Sequence, residues 1–142
     1  AAIRGWISSS DKAHYEAGVS AAMKMLEGIY GTTPISDADV SAYLAGDGAY
    51  KTGGSVVERW EQVMDQYWIA TYFNEYEAYS NWRRSGFPTI TATRHPNSYT
   101  NGQFMVRMIY PTSESGNNAA NYAAAVANQG PDEYTTPLWW DK

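Results

Sequence analysis

Three times before residue 90 of this 142-residue chain, a serine stands directly ahead of a run with helical periodicity, and a glycine follows that run or its continuation: Ser10 and Gly31, Ser36 and Gly46, Ser55 and Gly86. A serine hydroxyl accepts a hydrogen bond from the free N–H groups of a first helical turn, and glycine adopts the left-handed conformation that closes a last one. Such punctuation predicts a fold built mainly from helices.

The first helix is expected from about Asp11 to Ile29. Tyr15, Val19, Ala22, Met23, Leu26 and Tyr30 recur on one face, so it is amphipathic and one-sided. A second, short helix over Asp37–Ala45 opens with a capping-box pattern and carries Val40, Tyr43 and Leu44. The glycine-rich stretch Gly46–Gly54 reads as a flexible loop. Ser55 and Glu58 form another capping box, predicting a helix from Val56 to about Phe73.

In that helix, Tyr67-Trp68-Ile69-Ala70-Thr71-Tyr72-Phe73 carries no charge on any face. A helix apolar all round is expected to be buried all round. The other helices offer few partners for it, so one side is expected to lie against polypeptide upstream of this chain, and the chain is read as a single domain or a fragment. Glu75 to Arg84 reads as a continuation or a separate helix. Its Tyr72, Tyr76, Tyr79 and Arg83 stripe is expected to pack against a neighbour, and Arg83 and Arg84 suit the negative helix end before Gly86 and Pro88.

Beyond Pro88 the period changes. Thr89–Thr93 is short and β-branched, and Phe104–Tyr110 is expected to pair as a strand or run extended. A polar loop, His95–Gly102, separates them, and an alanine-rich helix is expected from about Asn118 to Ala127. The expected fold class is mainly α, with a few short extended or β segments near the C-terminus.

Composition excludes several functions. A net charge of −5 supplies no basic field for a phosphate backbone, so no nucleic-acid partner is expected. Cysteine is absent, which removes thiolate catalysis and cysteine metal sites. His14 and His95 are the only imidazoles and stand in no metal-binding pattern, no Gly-x-Ser-x-Gly elbow occurs, and Gly46–Lys51 stops short of the dinucleotide and P-loop fingerprints. Asp37 and Asp39 lack the glycine of a calcium loop and are better explained as helix caps. No cofactor, metal or catalytic residue is expected. The aromatic content of 15% is unusual in kind, since twelve Tyr and six Trp stand against three Phe. Rings with a polar handle suit half-wet surfaces, although any one of them serves equally well in a core.

Five motifs in order carry a family resemblance: Tyr15-Glu16-Ala17-Gly18; Tyr67-Trp68-Ile69-Ala70; Glu77-Ala78 leading to Trp82-Arg83-Arg84-Ser85-Gly86-Phe87-Pro88; Arg107-Met108-Ile109-Tyr110-Pro111 with Glu114 and Asn118; and Trp139-Trp140-Asp141. In these the chain resembles the C-terminal part of the SusD-like (SusD/RagB) outer-membrane lipoproteins. Ser85 stands where that family more often has Thr, and Tyr67 where Lys is common. The resemblance implies a helical, non-catalytic binder of glycans or other nutrients. It would sit on the outer face of the outer membrane of Bacteroidetes-type bacteria, held by an N-terminal lipid anchor that this chain lacks. Its partner would be a SusC-like TonB-dependent transporter. Arg83–Pro88 and Trp139–Asp141 resemble fold determinants of the family and not sugar contacts.

Two other classes fit the same residues. A glycoside hydrolase needs only two carboxyl groups roughly 5 to 9.5 Å apart. A transporter-docking scaffold without a ligand site would use the Tyr72–Tyr79 stripe as its interface. If sugars bind, flat rings and amide groups on loops are the chemistry required. One loop offers Asp47, Tyr50 and Lys51, the other Asn97, Tyr99 and Asn101, and the candidate ligand contacts are Tyr50, Asn97, Tyr99 and Asn101.

Overall fold

The computed structural model describes residues 1–141, which form two compact units, 1–89 and 90–141. All regular structure among the described residues is helical. In the first unit a 3-10 turn at Ala2–Arg4 precedes α1 (Asp11–Tyr30), α2 (Asp37–Ala45), α3 (Val56–Ala70) and α4 (Glu75–Ser85).

The caps are those the sequence predicts. Ser10 accepts from the Ala13 N–H, and Ser36 with Asp39 and Ser55 with Glu58 form complete capping boxes. Gly31 and Gly86 close α1 and α4 at φ 61° and 76°, whereas Gly46 ends α2 at φ −114°, outside the left-handed region, because its N–H bonds back to the Tyr43 carbonyl in a tight turn. Helix α3 stops three residues earlier than expected. The Thr71 hydroxyl donates to the Tyr67 carbonyl at 2.8 Å, and Asn74 leaves helical geometry to cap α4 through the Glu77 N–H. An Asn followed three residues later by Glu is itself a helix start, so α4 is a separate helix.

The core of this unit lies where α1 meets the segment after α2. Tyr15 and Val19 pack on Tyr50, with Met23, Tyr43, Leu44 and Val63 around them. The Tyr15 and Tyr50 rings lie 5.0 Å apart, centroid to centroid. The Tyr15 hydroxyl donates to the Gly48 carbonyl and the Tyr50 hydroxyl to Asp11, each at 2.8 Å. Asp11 also pairs with Arg59 of α3.

Buried Gln62 of α3 accepts from the Lys51 N–H at 2.9 Å and donates to the Ala49 carbonyl at 2.8 Å, so it holds the peptide bonds on both sides of Tyr50. The stretch read as a flexible loop is therefore anchored to two helices. Gly48 is required there, because a Cβ would stand 2.3 Å from the Tyr43 ring.

Ile69 is 60% exposed and Phe73 65%, so the uncharged stretch has the uncovered side within this unit that its shortage of partner helices implies. Helix α4 buries Ala78 and Asn81, the latter donating to the Met64 sulfur of α3, while Tyr72, Tyr76 and Tyr79 remain exposed. The stripe is thus not the packing face. Arg84 lies in the last turn as expected, where it also donates to Asn81 and stacks over Trp60.

The second unit holds α5 (Glu114–Asn117) and α6 (Ala119–Gln129). Residues 104–110 form no strand and bend at Arg107; the Val106 and Arg107 N–H groups both donate to the Tyr134 carbonyl, at 2.8 and 3.3 Å. Asp132 is the hub. It pairs with Arg107 at 3.0 Å and accepts from the Tyr110 N–H at 3.2 Å and the Tyr122 hydroxyl at 3.3 Å. Polar bonding thus organises a segment too short in apolar residues to bury a large core. Trp139 and Trp140, expected to be fold determinants, are exposed.

Candidate functional site

The four candidate contacts separate into different units. Tyr50 is 8% exposed, its ring against Tyr15 and its hydroxyl on Asp11, and burial raises its pKa above the ordinary phenol value. Neither its face nor its hydroxyl is offered to a ligand, so Tyr50 leaves the candidate set as a core residue. Asp47 and Lys51, its neighbours in the same loop, are exposed.

Asn97, Tyr99 and Asn101 lie together in the second unit, on a turn closed by local hydrogen bonds. The Ser98 N–H donates to the His95 carbonyl, the Asn97 N–H to the His95 ring, and the Asn101 N–H to the Ser98 carbonyl. Asn101 and Gly102 take positive φ values of 53° and 82°, which turn the chain back on itself. Gly102 is needed, because a Cβ would meet Arg94 at 2.9 Å. At the tip, Tyr99 is 93% exposed. Its ring is supported from one side by half-buried Tyr134, at 6.4 Å between centroids and 46° between planes. Sequence reasoning missed Tyr134, which stands 35 residues along the chain with no periodic link to the turn.

This turn carries an exposed flat ring with an exposed amide residue two positions to either side of it in sequence. The ring suits the C–H face of a pyranose, and amides suit its hydroxyl rim. Among the described residues no cluster of three or more His, Asp or Glu side chains suited to a metal ion occurs. No helix there is long and apolar enough to cross a membrane.

A second concave surface lies within the first unit. A trough of about 1000 Å³ runs between α1 and α3, lined by Gly18, Ala21, Ala22 and Met25 on one wall and by Ile69 and Phe73 on the other. It continues to Ile29 and Tyr30 at the end of α1. Several of its polar side chains are already engaged: Tyr15 with Gly48, Tyr43 with Gln66, Tyr67 with Glu77, and His14 with Ser9. That leaves an apolar surface with little to offer a hydroxyl-rich ligand.

Residues 1–111 match the SusD-like family described as "Starch-binding associating with outer membrane". No curated protein matches the chain. Among solved structures, a chitin-binding protein is similar over 99% of this chain at 39% identity, with a TM-score of 0.79. A SusD-like protein from Bacteroidetes AC2a is 31% identical over 99% of the chain with a TM-score of 0.85, and a SusD homologue from Bacteroides fragilis is 26% identical with a TM-score of 0.76. The chain spans 30%, 27% and 32% of the length of those three proteins. By its match over residues 1–111 and its likeness to these helical structures, the chain belongs to the SusD-like family.

Proposed function

We propose that this chain is part of a non-catalytic glycan-binding protein of the outer-membrane surface, with chitin as its ligand. Chitin is the ligand named for a relative 39% identical over 99% of the chain, and that likeness carries the reading. The turn around Tyr99 is the contact we assign, with Asn97 and Asn101 as its amide rim and Tyr134 as its support. A lipid anchor and a SusC-like TonB-dependent transporter that receives the ligand complete the reading, following the family's association with the outer membrane.

The test is chitin pull-down and calorimetric titration with chitin oligosaccharides, using the product of the whole reading frame that contains these codons. Stacking of one ring on a sugar is worth about 0.5–1.5 kcal/mol, on the scale of aromatic contacts. Tyr99→Ala should therefore weaken binding roughly 2- to 13-fold, with the melting temperature unchanged because the ring is exposed. Unchanged affinity in Tyr99→Ala removes the site. Binding only to another glycan removes chitin, and release of product beyond stoichiometry removes the non-catalytic role.

A further inference from the structure

The segment that carries Tyr99 is a series of turns joined without slack. The Ser98 N–H closes the first on the His95 carbonyl at 3.0 Å, and the Asn101 N–H closes the second on the Ser98 carbonyl at 3.3 Å. The Gln103 N–H closes a third on the Thr100 carbonyl at 3.1 Å. Pro96 suits the first turn, because its ring presets φ at the second position. Ser98 ends that turn and begins the next, with Tyr99 directly after it. The direction in which the chain leaves the first turn therefore sets where the Tyr99 ring stands.

That first turn is also held by a side chain, and the side chain titrates. The Asn97 N–H donates to His95 Nδ1 at 3.3 Å, the bond to the N–H two residues on that an Asn or Asp makes in an Asx-turn. An imidazole nitrogen accepts only while it carries no proton, so the ring is neutral with its hydrogen on Nε2. Protonation of Nδ1 sets one donor against another. Packed on the turn are Arg94, beside Gly102, and Tyr134, beside Tyr99. Neither a guanidinium nor a phenol changes charge between about pH 5 and 8, whereas histidine as a class does. Among the described residues no carboxylate pairs with His95.

We propose that His95 is a positioning residue for the glycan turn, and that its neutral imidazole is required for full affinity, so that binding weakens in acid. The inference rests on the assignment of Tyr99 as the sugar contact. Chitin oligosaccharides carry hydroxyls and acetamides that do not titrate in this range, so the dependence belongs to the protein.

The test is calorimetric titration with chitin oligosaccharides at about pH 8 and about pH 5, on the product of the whole reading frame and its Tyr99→Ala, His95→Ala and His95→Asn variants. Asparagine supplies an acceptor to the N–H two residues on and does not titrate. Asn97 is exposed and its freed N–H can turn to water, so the parent should bind about two- to fivefold more weakly at the acid value. His95→Ala should already be weaker by that factor at the alkaline value, with no further loss in acid. His95→Asn should keep the parent's alkaline affinity at both. Equal affinity of the parent at both values overturns the proposal, as does an acid loss in His95→Asn that matches the parent's. Unchanged binding in Tyr99→Ala, or no binding of chitin at all, removes the glycan site and this inference with it. A loss in Tyr99→Ala beside His95 variants that behave as the parent removes this inference alone.

Discussion

Replacing Gln62 by Leu tests how the segment around Tyr50 is held. Leucine keeps the apolar stem and approximate size of the side chain but loses both hydrogen bonds, to the Lys51 N–H and the Ala49 carbonyl. A net contribution of about 0.5–1.5 kcal/mol per bond gives a loss of about 1–3 kcal/mol. The lower end applies if water reaches the freed peptide groups, whose residues are exposed. For a unit of this size, 1 kcal/mol moves the melting temperature by roughly 4–8 °C, so a mid-range loss of about 2 kcal/mol lowers it by roughly 8–16 °C. Urea titration followed by far-ultraviolet circular dichroism gives the free energy directly. Gln66→Leu is the control, since its partner is the half-buried Tyr43 hydroxyl and not the main chain; it should lose less than about 1 kcal/mol. If Gln62→Leu matches its parent within about 0.3 kcal/mol while Gln66→Leu does not, the peptide clamp is not what holds this segment.

Other perturbations read different parts of the molecule. Gly48→Ala drives a methyl into the Tyr43 ring and should destabilise by about 1–3 kcal/mol in the same urea assay. Gly86→Val has space around it, so its loss of more than about 1 kcal/mol would come from the left-handed backbone alone. Arg107→Met leaves Asp132 buried with the Tyr110 N–H and Tyr122 hydroxyl as its remaining partners, and should cost about 3 kcal/mol, the lower end for a broken buried pair. Burial pushes the Tyr15 hydroxyl up to about 12, and the Tyr50 hydroxyl, by donating to it, holds the Asp11 carboxyl below its ordinary 3.8. The raised phenol stabilises the first unit below pH 10 and is lost as pH rises toward about 12; the depressed carboxyl stabilises above 3.8 and is lost as pH falls below it. Urea midpoints measured across pH should therefore drop at both ends, and Tyr15→Phe should flatten the alkaline limb.

What the sequence showed and what it hid divide along the range of the interactions. Caps act within four residues, so α2 has the predicted bounds and α1 ends one residue beyond Ile29. The end of α3 was legible too, in Asn74 and Glu77, but seven uncharged residues outweighed that signal. Their uncovered side followed from the shortage of partner helices, although helical pattern says only that a surface is apolar and not what covers it. Tyr50 was misplaced for a related reason. A tyrosine on a glycine-rich stretch reads as a ligand contact until Gln62, Tyr15 and Asp11, 12 to 39 residues away in sequence, are seen to hold its segment. The Asp132 hub in the second unit was invisible for the same cause, because hydrogen bonds from Arg107 and Tyr110 across more than 20 residues leave no periodicity.

This chain's preference for tyrosine over phenylalanine takes on separate meanings at different positions. Where the hydroxyl finds a partner inside the chain, as in Tyr15, Tyr43, Tyr50 and Tyr67, the ring becomes a cross-link that fixes one element to another. A surface walled by such spent hydroxyls is less polar than its tyrosine content implies. Tyr99 is the opposite case, with a ring exposed on a turn whose own hydrogen bonds are made by backbone and neighbouring side chains. The ring is therefore held out by the turn rather than consumed in building it. On this argument aromatic count predicts neither surface, and the number of hydroxyls satisfied within the chain predicts both. Replacing Tyr67 by Phe should therefore cost stability by freeing Glu77, whereas Tyr99→Ala should be felt by the glycan alone.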